Sequence, residues 1–282
     1  MKKRLIINAD DFGKSPRVNE AVERAHTQGV LTSTTIMTNM DYFEDAVAIA
    51  RKLPRLGVGV HLNLFAGRPV SREPYVKCLT DSDGNFRYSP GTLALLTTFR
   101  NDIRKAIKTE MSAQIQRLID SGLYPTHLDS HKHLHFFPAV HPIVCSLARR
   151  FKISAIRYCR ESAELSNVPW PLSMPDAKRA AKLMRAMAVF NRLYDEEFFK
   201  TQATFGLTHV GRIDTNYIKA LTLYTSTETA ELMTHPAVEN NAADAGKPLK
   251  MNHRTEFEAL CDERTKKYIR DADIELINYS QL

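Results

Sequence analysis

Short runs of β-forming apolar residues alternate with stretches of helical periodicity along nearly the whole chain, and this alternation limits the fold more than any other feature. Leu5-Ile6-Ile7 is the compact kind of run that fills a parallel strand buried on both faces. A helix follows, with Ser15 as N-cap, Pro16 at the first helical position, Val18, Ala21, Val22 and Ala25 on one face, and Gly29 at its end. Further strands are predicted over 32–38, 57–64, 126–130, 153–158, 207–213, 232–235 and 274–278. Helices are predicted near 41–53, 103–122, 138–151, 176–194, 216–223 and 255–270, and Asp41/Glu44 and Thr255/Glu258 have capping-box spacing. Eight strands in this order predict an α/β fold: a TIM-like (β/α) barrel, distorted or incomplete, with an insertion near 160–205. The 282 residues fit one such domain, 1–282. No glycine-rich phosphate loop follows any strand, which removes the nucleotide-binding forms of a doubly wound sheet.

Composition serves to exclude. With 43% hydrophobic and 25% charged residues, the chain is neither collagen-like, disordered nor coiled-coil. The net charge of +7 is spread over short groups such as Lys2-Lys3-Arg4 and Arg149-Arg150, which read as solvated faces. They are not interleaved with aromatics as in RNA-binding modules, so nucleic acid is not an expected partner. The four cysteines form no CxxC pair, against a disulfide framework or zinc knuckle. The start lacks the apolar core of a signal peptide and no run of 18 apolar residues occurs, so a cytoplasmic protein is expected.

Polar residues gather where the strands end, which is where a (β/α) barrel carries its active site. Adjacent Asp10 and Asp11 repel unless a cation or hydrogen bonds offset their charge, although an Asx turn with a helix cap would also explain the pair. In GVGVHLNL, Gly57, Gly59, His61 and Asn63 share a face, leaving room beside the imidazole for a ligand or metal. A hydrogen-bonded core histidine is the plainer alternative for His61. The densest signal is His127, Asp129, His131, His133 and His135, which project on one side if the segment stays extended. Burying so many imidazoles without a partner is costly, so a metal or proton-transfer site is expected, with an exposed tract as the alternative for His133 and His135. His235 ends a strand before Pro236, and Arg157 lies near the end of the strand after the histidine cluster. Carboxylate and imidazole ligands suit Zn²⁺ or another first-row ion better than Mg²⁺, and three such ligands with an open position activate water. These residues together predict metal-assisted hydrolysis.

NADDFG at 8–13, GVHLNL at 59–64, THLDSHKHLHFFP at 126–138 and MTHPA at 233–237 resemble the YdjC-like carbohydrate deacetylases. That family includes chitooligosaccharide deacetylases and the hopanoid-associated deacetylase HpnK. The resemblance implies a (β/α) barrel and hydrolysis of a linear amide, the N-acetyl group of an amino sugar, to acetate and free amine. It implies one divalent ion, zinc or magnesium, on Asp11, His61 and His131, with Asp10 as general base and His235 as general acid. His131 is chosen by its place in HLDSH, since spacing does not separate it from His127 or His133. Arg157, Arg254, His127 and Asp129 are expected to bind substrate or stabilise the oxyanion. The expected substrate is of N-acetylglucosamine type, an oligosaccharide or lipid-linked. A lipid-linked substrate would bring peripheral membrane contact, for which Lys178–Lys200 is a candidate helix, although an ordinary amphipathic helix of the insertion covering the barrel is its plainer reading. A homodimer is expected from base rates. Two rival readings stand beside this one: a metal-dependent phosphoesterase drawing more ligands from His127, Asp129 and His133, and a non-catalytic sugar-binding protein.

Overall fold

The computed structural model describes residues 2–160, 186, 189, 197–224, 227–240 and 252–282. In chain order these form β1 (Arg4–Phe12), α1 (Pro16–Thr27), β2 (Ser33–Ile36), α2 (Phe43–Lys52) and β3 (Gly57–Leu62). Next come α3 (Pro90–Phe99), α4 (Asn101–Asp120), β4 (Leu128–Ser130) and α5 (His141–Arg150). The last group is β5 (Ala203–Phe205), α6 (Thr215–Tyr224), β6 (Thr229–Thr234), α7 (His253–Cys261), α8 (Glu263–Asp271) and β7 (Glu275–Leu276).

The strands run β4-β3-β2-β1-β6-β5, every pair parallel, and β7 pairs with the start of β1. The sheet is curled, and an extended segment joins its two edges. Leu128 donates its N–H to Ala155 O (3.0 Å) and accepts from Arg157 N (3.0 Å), while on the far side Thr204 N donates to Arg160 O (2.9 Å). The expected α/β barrel-like fold is therefore present in a distorted form. Leu5, Ile6 and Ile7 are buried by the helices outside the sheet and the side chains within it, each worth about 1.5–3 kcal/mol of transfer free energy. Ser15 caps α1 as read, accepting from Val18 N, and Ala21, Val22 and Ala25 face the sheet. Gly29 is required where α1 ends, because a Cβ there would lie 2.4 Å from Leu260 O.

Departures from the sequence reading have local causes. The 153–158 strand survives only as bridges, because that segment serves two edges instead of running beside one. The 207–213 strand is absent, and β5 lies upstream of it. Gly206 (φ 92°) just before that stretch and Gly211 (φ 74°) within it turn the backbone, so it cannot run extended. The 255–270 helix is two helices broken at Asp262, which caps the second by accepting from Arg264 N at 2.8 Å. Asn252 caps α7 in place of Thr255, and α2 starts without a side-chain cap. The predicted 176–194 helix and most of Lys178–Lys200 lie outside the described residues. Among the described residues no helix is long and apolar enough to cross a membrane.

Candidate active site

Neighbouring residues on a strand point to opposite faces, yet Asp10 and Asp11 line the same cavity. The register of β1 against β2 shifts between Ala9 and Phe12, and Asp11 has φ 67°. This bulge turns both carboxylates toward the site. Asn19, fully buried on α1, holds the turn: its Oδ1 accepts from Gly13 N (2.8 Å), and its Nδ2 donates to Tyr42 O (3.1 Å) and Asp45 Oδ2 (2.7 Å).

Three ligand-type atoms converge at the end of the bulge. Asp11 Oδ1 lies 3.5 Å from His61 Nε2 and 3.1 Å from His131 Nδ1. Asp11 Oδ1 and His61 Nε2 are buried without a hydrogen bond of their own, an arrangement whose natural complement is a cation. His61 is prepared for that role: its Nδ1 lies 2.8 Å from Asp129 Oδ1, which leaves the Nε2 lone pair directed at the cluster. The donor set therefore fits a divalent ion. Lys14 Nζ donates to the outer oxygen, Asp11 Oδ2, at 2.7 Å. Burial pushes the Asp11 carboxyl up, but His131 and Lys14 override it and hold it well below the usual carboxylate range.

Beneath this trio lies a second, closed group. Arg157, 1% exposed, reaches from the bridging segment to three carboxylates of three strands. Its Nη1 and Nη2 donate to Asp10 Oδ2 (2.8 Å) and Oδ1 (2.7 Å), its Nε donates to Glu231 Oε1 (2.9 Å), and Nη1 lies 2.5 Å from Asp129 Oδ2. Burial raises the Asp10 carboxyl, but Arg157, His61 and His235 outweigh it and keep it well below its ordinary value. Asp10, His61 and Asp129 also have metal-donor spacing, but the guanidinium already supplies their cation. On the other side His235 Nε2 stands 3.7 Å from Asp10 Oδ2, and burial pushes this imidazole down to about 4. Its backbone is fixed by Glu256, which accepts from His235 N at 2.5 Å, and by His253 Nδ1, 2.7 Å from His235 O.

The structure thus brings together Asp10, Asp11, His61, His131 and His235, and places the four residues expected to touch substrate away from that group's open side. Arg157 and Asp129 are buried and act through Asp10 and His61 instead. His127 is buried and stacked on Tyr279, with ring centroids 3.7 Å apart, so the room opposite Gly59 holds its imidazole and no ligand. Arg254 is turned outward to Glu258 (2.8 Å), and the neighbouring His253 lines the cavity in its place. The histidine run does not stay extended. β4 stops at Ser130, and Lys132 and His133 adopt φ 55° and 54°, which sends the later rings elsewhere. His135 is no exposed tract residue: it is buried between Ser130 Oγ (2.7 Å) and Arg157 O (3.2 Å). His133 Nδ1 meets the Cys159 thiol at 3.6 Å.

Sequence reasoning missed Glu231, Thr35 and Tyr279. Thr35 Oγ1 donates to Asp129 Oδ2 at 3.1 Å, and Tyr279 donates to Glu231 Oε2 at 2.7 Å. A signal existed for one of them: Glu231 is a lone carboxylate inside an apolar strand, two positions before Met233 and four before His235, on the same face.

A sequence model described as YdjC-like protein matches residues 4–271. A carbohydrate deacetylase of Brevibacillus brevis is 33% identical over 279 residues, covering 99% of each chain. A chitooligosaccharide deacetylase of Salmonella paratyphi B is 40% identical over 163 residues, 57% of this chain and 62% of that one. Among solved structures, a provisionally named cellobiose-phosphate cleavage protein of Enterococcus faecalis V583 has a TM-score of 0.76 at 26% identity, covering 100% of this chain and 99% of that one.

Proposed function

The chain belongs to the YdjC-like protein family, and from that membership we propose that it is a metal-dependent carbohydrate deacetylase that hydrolyses the N-acetyl group of an N-acetylglucosamine-type sugar. The observation that carries the reading is the pairing of an ion-pair-held carboxylate and an imidazole, Asp10 and His235, beside the converging Asp11, His61 and His131. Those last three would hold one divalent ion, zinc or magnesium, with the two imidazoles favouring a first-row metal. Such an ion, when bound, supplies Lewis-acid polarisation of the acetyl carbonyl and of water.

The chain's own residues do the proton work. Asp10 is ionised and aimed by Arg157, so it accepts the proton of the attacking water. Held so far below its ordinary value it is a weak base, and it does not retain that proton. His235, 3.7 Å away and neutral at rest, takes up the proton that Asp10 gives up and passes it to the leaving nitrogen, which as an amide anion would not depart. The phosphoesterase alternative has less support, because of the further donors it would recruit only Asp129 falls in a metal-spaced group among the described residues, and there it is held by His61 and Arg157.

The test measures acetate release from N-acetylglucosamine, its β-1,4 oligomers and a lipid-linked acetylglucosamine, together with metal content per chain. We expect release that is lost with Asp10→Asn or chelation, and one ion per chain that is lost with His61→Ala. Release insensitive to chelation, or two ions per chain, would refute the proposal.

A further inference from the structure

Resting on the deacetylase reading, we infer that Tyr42 is the platform of a second sugar-binding position, on which the pyranose next to the reacting one stacks. The cavity that holds Asp10, Asp11 and His235 has a volume of about 570 Å³, and Tyr42 forms part of its wall. That size falls within the range of about 300–1,000 Å³ typical of pockets for drug-sized ligands, more than one acetamido ring requires.

The side chain of Tyr42 is only partly covered. It is 42% exposed, and among the described residues neither its ring nor its hydroxyl has a partner. Its backbone is nevertheless tied down on both sides. Tyr42 N donates to Gly13 O at 3.2 Å, and Tyr42 O accepts from Asn19 Nδ2 at 3.1 Å and Ala46 N at 3.1 Å. Gly13 lies two residues beyond Asp11, so the same Asn19 that fixes the carboxylate turn fixes the distance from that turn to the aromatic ring. The backbone entropy of placing the ring is thus already spent in the free chain, and only two side-chain torsions remain to be ordered.

The chemistry of the surroundings selects a sugar. A pyranose presents an apolar face of C–H groups and a rim of hydroxyls. The negative face of an aromatic ring complements the first. The cavity wall also carries charged groups of both signs, Lys14, Arg17 and Glu239, and Arg17 Nε stands 3.4 Å from Glu239 Oε2. Such groups donate to and accept from hydroxyls, whereas an apolar or membrane partner would leave them stripped of water. Substrates with a second ring are therefore bound more tightly than the monosaccharide, through Tyr42.

The test uses the full chain carrying Asp10→Asn, titrated calorimetrically with N-acetylglucosamine and with tri-N-acetylchitotriose, with and without Tyr42→Ala or Tyr42→Phe. We expect Tyr42→Ala to weaken trisaccharide binding about fivefold to tenfold, the strength of a single aromatic contact, and to leave the monosaccharide unchanged. Tyr42→Phe, which keeps the ring, retains trisaccharide binding. Equal trisaccharide affinity with and without Tyr42→Ala, equal losses for both sugars, or no trisaccharide binding to the parent chain would each overturn the inference. Failure of the native chain to release acetate from any sugar would instead refute the deacetylase reading, and the binding measurements would still decide the role of Tyr42.

Discussion

Arg157→Met should make stability and activity depend on pH more steeply than in the native chain. The guanidinium is the shared partner of Asp10, Asp129 and Glu231, all buried. Removing one partner of a buried pair costs about 3–5 kcal/mol, because the other charge is left uncompensated. With an unfolding entropy of about 2.1 cal/mol/K per residue over 282 residues, that corresponds to a Tm lower by about 5–8 °C at pH 8. The pH dependence fixes the cause. In the native chain Asp10 is held below its unfolded value, so its contribution is present above about pH 4 and lost only in stronger acid. Without Arg157 the largest offset to burial is gone and the Asp10 carboxyl moves up, in the direction in which burial already pushes Glu231. A raised carboxyl destabilises increasingly as pH rises through its folded value, so the penalty is greatest at pH 8 and fades toward pH 5. Thermal unfolding of both chains from pH 5 to 8 should show a Tm gap that narrows in acid, and the acid limb of acetate release should move to higher pH. A gap independent of pH, or an unmoved acid limb, would refute the argument that Arg157 keeps Asp10 ionised.

Glu256, pushed up to about 7 by burial against the hydrogen bonds it accepts from the backbone, should make the native chain less stable as pH rises from about 4.3 through 7. Glu256→Gln removes that titration, so Tm measured from pH 5 to 8 should fall less steeply in the variant. Gly59→Ala should cost about 1–3 kcal/mol by overpacking, since the new methyl would lie 2.5 Å from a His127 ring held against Tyr279. Denaturant unfolding should show the loss, and most of it should disappear in a His127→Ala background.

The parallel first half was legible because β1, α1, β2, α2 and β3 each satisfy a local rule: a compact apolar run, a cap, a helical stripe or a glycine stop. The later strands were not, because what makes 153–160 part of the barrel is two-sided hydrogen bonding to residues far away in sequence. Type and position flagged strand-end residues, the family resemblance picked five among them, and those five lie together in the structure. Depth was not legible. Alternation placed His127 and Asp129 on the inner face but could not say that one packs under the barrel and the other holds a histidine. Nor could it foresee that β4 ends at Ser130, one residue before His131, so that His133 and His135 leave the common face.

The bulge in β1 has a consequence for anyone who would transplant this chemistry. An aspartate pair written into an ordinary strand would send one carboxylate inward and the other out to the helices, whatever the match of residues around it. The transferable unit is therefore a shape as well as a sequence: the left-handed turn at Asp11, the glycine that follows the strand at position 13, and a buried amide from the next helix to clasp them. Copying only the letters would yield half a site, and a search that scores identity alone would not detect the difference.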